Sequence, residues 1–186
     1  IASGKSSIGS FLKANKGLPI LDADVFSREA LAPNTISNEA IVKRYKNQVI
    51  TGPSGIIDRK LLAKIIFSDI EERHWLESLL HPIIYTKLLN NLEKRRNCPI
   101  VILIIPLLFE ANLTSICNEI WVVKCTKKQQ YQRLMKRDKI TEGEAKKRIE
   151  AQWPLEKKAE LADEVIDNSG KSNDWHEQIE KLLAKT

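Results

Sequence analysis

Apolar residues recur along this chain at two periods, and the switch between them marks out alternating helices and strands. Ile8, Phe11 and Leu12 lie three and four apart, as on a helix with one buried stripe. Pro19, Ile20 and Leu21 read as a short buried strand running into Asp22, Ala23 and Asp24. A helical segment follows over 25–31 and breaks at Pro33, residues 36–46 regain helical spacing, and the Gly- and Pro-containing stretch 51–55 is a turn. Asp58 is an N-cap for a helix over 59–67. Ser68 and Glu71 form a capping box for the next helix, which runs to Leu80. His81-Pro82 reads as a joint, with Pro82 opening a helix that continues to about Arg95.

Residues 99–105 are continuously apolar and β-branched, the mark of a strand covered on both faces, and 120–123 repeat the pattern. Thr126 caps a helix over 127–137, and Thr141 with Glu144 forms a capping box for a helix through Ala151. Residues 164–166 are a short last strand before Asp167-Asn168-Ser169-Gly170. A closing helix carries Trp175, Ile179, Leu182 and Leu183. Strands alternating with helices predict an α/β fold of three layers, a parallel sheet with helices on both faces. Ligands bind such a sheet beyond the carboxyl ends of its strands. The front of the chain, Asp22, Asp24 and Pro106 are expected to meet there.

Composition narrows this picture. A length of 186 residues suits a single domain. Cys98, Cys117 and Cys125 are odd in number and form no C-x-x-C pair, which argues against a disulfide framework or zinc site and for a reducing cytoplasm. The longest apolar run, 100–109, is far short of a membrane span and contains Pro106. Charge is more informative once located. Residues 127–148 hold nine basic side chains against three acidic ones, so the whole net charge of +6 resides there. A field that local suits a polyanionic ligand better than nucleic acid, although a solvated helix surface would carry the same residues.

The polyanion has a candidate seat. Ala2-Ser3-Gly4-Lys5-Ser6-Ser7 matches the second half of a phosphate-binding loop, G-x-x-x-x-G-K-[ST], and leads directly into the first amphipathic helix. The loop's opening Gly and the strand feeding it are expected before Ile1. In such a loop backbone N–H groups wrap a polyphosphate while the helix adds its positive end. Gly4 lets the backbone approach, Lys5 reaches the β- and γ-phosphates, and the Ser6 hydroxyl serves Mg²⁺. An ordinary surface turn could carry the same three letters.

Taken in order, I-A-S-G-K-S, L-D-A-D-V-F-S-R-E, D-R-K-L-L, F-S-D, H-P, I-P-L-L-F-E, R-L-M-K-R-D, A-Q and V-I-D-N-S-G resemble the dephospho-coenzyme A kinase family over nearly the whole chain. The resemblance implies a P-loop kinase fold that moves the γ-phosphoryl of ATP to the ribose 3′-hydroxyl of dephospho-CoA, with Mg²⁺. It implies a core of about 1–31, 98–138 and 163–186, a helical acceptor-binding region over about 32–97 and a lid over about 139–154. The expected partners are ATP and dephospho-CoA, with no nucleic acid, membrane or obligate protein partner.

By the same resemblance, Asp24 accepts the hydroxyl proton, and Lys5 and Arg137 complete the catalytic set. Asp22 serves the acceptor, the metal through water or the loop's orientation, or it simply caps a helix. Arg133 and Arg137 share a helix face, and their planar forks suit phosphate; exposed arginines bridging to Asp138 or Glu144 are the plainer alternative. Asn168 is a candidate for adenine contact, with a simple turn after a strand equally open. His81, Leu107, Phe109 and Gln152 fall to the acceptor, with a structural role for His81 and a lid hinge for Gln152 as the alternatives; Asp58, Arg59 and Lys60 are further candidates, Asp58 being also explained as a cap. Trp75, Trp121, Trp153 and Trp175 are read as packing residues. One departure stands out: residues 102–105 carry no acid, where family members often have an Asp at the place of Ile104.

A kinase acting on a nucleoside or nucleoside monophosphate shares loop, base and lid, and only the acceptor-region motifs argue against it. A GTPase-type switch needs N-K-x-D, and Asn15-Lys16-Gly17-Leu18 lacks the Asp.

Overall fold

The structure of the chain, a computed structural model, describes residues 1–51, 56–170 and 174–185. In chain order the elements are α1 (Lys5–Lys16), β1 (Ile20–Asp22), α2 (Ala23–Ala30), α3 (Ile36–Tyr45), β2 (Ile50–Thr51), β3 (Ile56–Ile57), α4 (Arg59–Ile66) and α5 (Ile70–Glu93). After them come β4 (Ile102–Ile104), β5 (Trp121–Lys124), α6 (Lys127–Asp138), α7 (Glu142–Glu150), α8 (Leu155–Glu160), β6 (Glu164–Asp167) and α9 (Trp175–Leu183). They fall into two compact units, one of Ile1–Lys16 with Leu107–Thr186, the other Gly17–Pro106.

In the first unit β5 and β6 form a parallel ladder, with Val123 opposite Ile166. Both residues are buried, as expected of strands covered by helices. The α8 and α9 helices pack against this ladder, and Phe11 of α1 meets the Trp175 ring edge-on. In the second unit β1 runs parallel to β4, with Leu21 opposite Leu103 and Asp22 opposite Ile104. Its core joins Ala30, Ile41, Tyr45, Val49, Ile57, Leu62, Leu76 and Leu80. Ile41 and Val49 are fully enclosed, each contributing roughly 1.5–3 kcal/mol relative to exposure. The α/β class and the parallel pairing agree with the sequence pattern. The expected turn at 51–55 lies, over 52–55, outside the described residues.

Two local expectations fail. Ser68 does not cap α5: its hydroxyl donates back to the Lys64 carbonyl, closing α4. Asp69 takes the cap instead, its carboxylate accepting from the amides of Glu71 and Glu72. Nor do His81 and Pro82 form a joint, because α5 runs through both. A proline lacks the N–H that would bond to the fourth residue before it, yet the surrounding turns hold one helix together. Flanks that bury Leu76, Leu80 and Leu88 outweigh that local loss. The antiparallel β2–β3 pair and α8 had no clear sequence signal.

Candidate functional site

The loop at the front of the first unit is shaped by two left-handed residues, Ala2 at φ 57° and Gly4 at φ 109°. The Gly4 carbonyl then accepts from Ser7 and Ile8 at 3.0 and 3.2 Å, which starts α1 at Lys5. A helix start leaves its first amides without acceptors inside the helix, and adds a positive dipole end. Ser6 and Ser7 stand exposed there. Ser3 is the opposite case: it is 1% exposed, and its hydroxyl oxygen is buried without a hydrogen-bond partner.

The underside of the loop is clasped from two other elements. Asn168, just past β6, donates from Nδ2 to the Ser3 carbonyl at 2.8 Å. Arg133 of α6 reaches the same carbonyl through Nη1 at 3.4 Å, and the Asn168 carbonyl through Nη2 at 3.0 Å. Gln130 Nε2 donates to the Ile1 carbonyl at 2.7 Å. Gln129 completes the capping box of α6 and donates to the Ser169 carbonyl at 2.8 Å. The Asp167 carboxylate accepts from both the amide and the hydroxyl of Ser169, and those bonds, the hydroxyl's above all, hold it below the usual carboxylate range.

Arg133 and Arg137, four apart, have separate partners. The Arg137 fork lies on Asp138, with Nε at 2.7 Å and Nη2 at 3.2 Å. Asp138 also accepts from Arg148 of α7 at 2.8 Å. The Arg137 hydrogen bond, with lesser help from Arg148, lowers the Asp138 pKa. Arg137 is more than half exposed and Arg148 nearly covered, so a partly solvated guanidinium ends α6 where α7 begins.

The acceptor candidates of this unit gather around a turn. Leu107 and Phe109 lie in it, with the Leu107 carbonyl accepting from the Ala111 amide at 2.9 Å. The Phe109 ring is nearly parallel to Trp153, 11° apart with centroids separated by 6.4 Å. Lys157 Nζ sits 3.5 Å from the Trp153 centroid, a cation–π geometry. Glu110 Oε1 accepts from the Trp153 amide at 2.9 Å and from Lys158 Nζ at 2.7 Å, while its Oε2 is buried without a partner. Gln152 Oε1 accepts from the Ile1 nitrogen at 2.8 Å. Sequence reasoning named Phe109 and Gln152 but missed the Glu110–Lys158 pair. No spacing rule links residues 48 apart in sequence.

In the second unit Asp22 caps α2, accepting from the Asp24 amide at 2.8 Å. The cap fixes the helix start, so Asp24 occupies the first turn and is exposed. The β1–β4 register sets Asp22 beside Ile104, where a strand acid was absent from the sequence. Asp58 caps α4 through the amides of Lys60 and Leu61. His81 is half-buried in the middle of α5. Among the described residues no three His, Cys, Asp or Glu side chains cluster as metal ligands, and no helix is long and apolar enough to cross a membrane.

Comparison with known proteins shows the family. A family model described as dephospho-CoA kinase matches residues 1–174. A dephospho-CoA kinase of Synechococcus sp. (strain CC9902) is 51% identical over 183 residues, covering 98% of this chain and 92% of its own. One from Prochlorococcus marinus (strain MIT 9313) is 47% identical, with coverage of 98% and 91%. A crystal structure from Thermus thermophilus superposes with a TM-score of 0.80 at 31% identity, covering 100% of this chain and 93% of the other. The dephospho-CoA kinase structure from Campylobacter jejuni gives 0.69 at 27% identity, with coverage of 100% and 92%.

Proposed function

The chain belongs to the dephospho-CoA kinase family, and we propose how its own residues divide that reaction. It is a P-loop kinase that uses ATP to phosphorylate dephospho-CoA, the final step of coenzyme A synthesis. The observation that carries the residue assignment is the Gly4–Lys5 turn, which opens α1 as a nest of backbone amides.

In this reading residues 2–7 bind the triphosphate, Lys5 neutralises the β- and γ-phosphates, and Arg137 stabilises charge on the moving phosphoryl group. Asp24 accepts the proton of the ribose 3′-hydroxyl; its exposed place on the first turn of α2, after the carboxyl end of β1, supports that role. Asp22 orients it through the cap. His81, Leu107, Phe109 and Gln152 serve the acceptor, the helical region over about 32–97 receives it, and 139–154 closes over ATP to exclude water.

A magnesium ion fits the donors present. The hard oxygen of Ser6, exposed at the start of α1, would hold it, with phosphate oxygens and water making up the rest, as Mg²⁺ commonly prefers. Such an ion would supply positive charge to the phosphates. The free thiols and the absence of a spanning helix among the described residues support a cytoplasmic setting.

The test is product identification. Purified protein with Mg²⁺ and ATP is offered dephospho-CoA, AMP or uridine, and products are resolved by liquid chromatography and mass. Coenzyme A from dephospho-CoA alone is expected. Turnover of AMP or uridine at comparable kcat/KM would point to the nucleotide-kinase alternative.

A further inference from the structure

We propose that Asn168 and Arg133 are positioning residues of the phosphate loop, which together turn the Ser3–Gly4 peptide so that its N–H faces the phosphates of ATP. The inference rests on the reading that residues 2–7 take ATP.

A trans peptide is planar, so its C=O and N–H point in opposite directions. The Ser3 carbonyl is drawn to Asn168 Nδ2 at 2.8 Å and to Arg133 Nη1 at 3.4 Å. The Gly4 N–H therefore points away from both, on the side where a wrapped polyphosphate would lie. Ser3 is closed to solvent, so water cannot replace those donors. The clasp is close as well as directional. A Cβ on Gly4 would stand 2.1 Å from Asn168 Nδ2, so a side chain there would push the Asn168 amide off the loop. Gly4 at φ 109° has a second reason to lack a side chain.

Asn168 is itself held firmly. Its amide donates to the Lys124 carbonyl at 2.8 Å, extending the β5–β6 ladder, and its carbonyl takes Arg133 Nη2 at 3.0 Å. The sheet edge, α6 and the loop thus share one small network. One Asn168 Nδ2 hydrogen is given to the loop, and two Arg133 nitrogens bond backbone carbonyls. Both residues act through Gly4.

The experiment compares wild type, Asn168→Ala, Asn168→Asp, Arg133→Gln and the Asn168→Ala/Arg133→Gln double variant. Steady-state kinetics use Mg-ATP and Mg-ITP, which differ only at the base. Calorimetry measures Mg-tripolyphosphate, which has no base, and thermal melting reports folding. Each single variant should raise the KM for ATP roughly ten- to hundredfold. The ATP:ITP ratio and the KM for dephospho-CoA should stay within about twofold of wild type, and tripolyphosphate binding should weaken in parallel. The double variant should be little worse than either single one. Should Asn168→Ala fail to fold, Asn168→Ser, which keeps a short donor, is read by the same measures.

An unchanged ATP KM in a folded Asn168 variant overturns the proposal. So does an altered ATP:ITP ratio with intact tripolyphosphate binding, which would make Asn168 a base contact. If wild type binds neither ATP nor tripolyphosphate, the site reading itself fails and takes this one with it.

Discussion

Lys158 Nζ lies 2.7 Å from Glu110 Oε1, and Lys158 is only 6% exposed. The same carboxylate oxygen accepts from the Trp153 amide. One ion pair therefore joins the turn that holds Phe109 to the segment that follows α7. Removing one member strands the other's charge away from water, a change that typically costs about 3–5 kcal/mol. Lys158→Met should lower the melting temperature by on the order of 10 °C. Lys158→Met with Glu110→Leu should recover most of that loss, because replacing a buried pair by apolar groups is often neutral. Calorimetric unfolding of the two singles and the double checks it, and an additive double would deny the coupling.

The second unit carries a pH signature. Glu72 accepts from both nitrogens of the Arg44 fork and from the Tyr45 hydroxyl, and these bonds, Arg44's first, lower its pKa from 4.5 to about 2. Burial, then the same hydroxyl bond, raises Tyr45 from 10.0 to about 12. A depressed carboxyl contributes stability above its unfolded pKa and loses it as pH falls through the folded one. A raised phenol contributes below its unfolded pKa and loses it as pH climbs through the folded one. Denaturant unfolding should therefore show Glu72→Gln below wild type at pH 7, the gap closing between about 4.5 and 2. Tyr45→Phe should converge with wild type between about 10 and 12. A gap that ignores pH would mean the trio adds shape but no linkage.

How much of this was legible depends on range. Thr126 and Thr141 announced α6 and α7 because a capping box closes within four residues, and its letters sit side by side. The continuous apolar runs announced β4 and β5 for a similar reason. Ser68 misled because two cap-forming side chains compete next to each other, and the Asp69 carboxylate takes both amides while the Ser68 hydroxyl donates back to Lys64. The loop itself was readable from Gly4-Lys5-Ser6. Its clasp was not, since Asn168 and Ser3 stand 165 residues apart and meet only once β6 lies beside β5. The charge surplus over 127–148 drew attention to α6. It could not reveal that Arg133 turns to backbone carbonyls while Arg137 lies on Asp138.

Asp24 separates chemistry from binding. Its side chain is exposed on the first turn of α2, so Asp24→Asn removes charge with little packing change. As general base it should reduce kcat by about 10²- to 10⁴-fold, with the KM for ATP within about threefold of wild type. Loss of a favourable helix-dipole contact accounts for only about 0.3–1 kcal/mol of stability. Steady-state kinetics beside thermal melting distinguish the two effects. Equal turnover by the variant would remove Asp24 from the mechanism.

Pro82 tests whether the centre of α5 serves the acceptor. A helix-interior proline costs about 3 kcal/mol relative to alanine in exposed settings, and Pro82 is exposed within a 24-residue helix. Pro82→Ala supplies the missing amide donor and should raise stability by about 1–3 kcal/mol. His81 precedes it, and a proline pushes the residue before it away from regular helical angles. Relaxing that turn re-aims His81. If His81 binds the acceptor, the same variant should raise the KM for dephospho-CoA about threefold or more while leaving the KM for ATP unchanged. A more stable protein with unaltered acceptor affinity would leave Pro82 as a tolerated defect and take His81 out of the acceptor site.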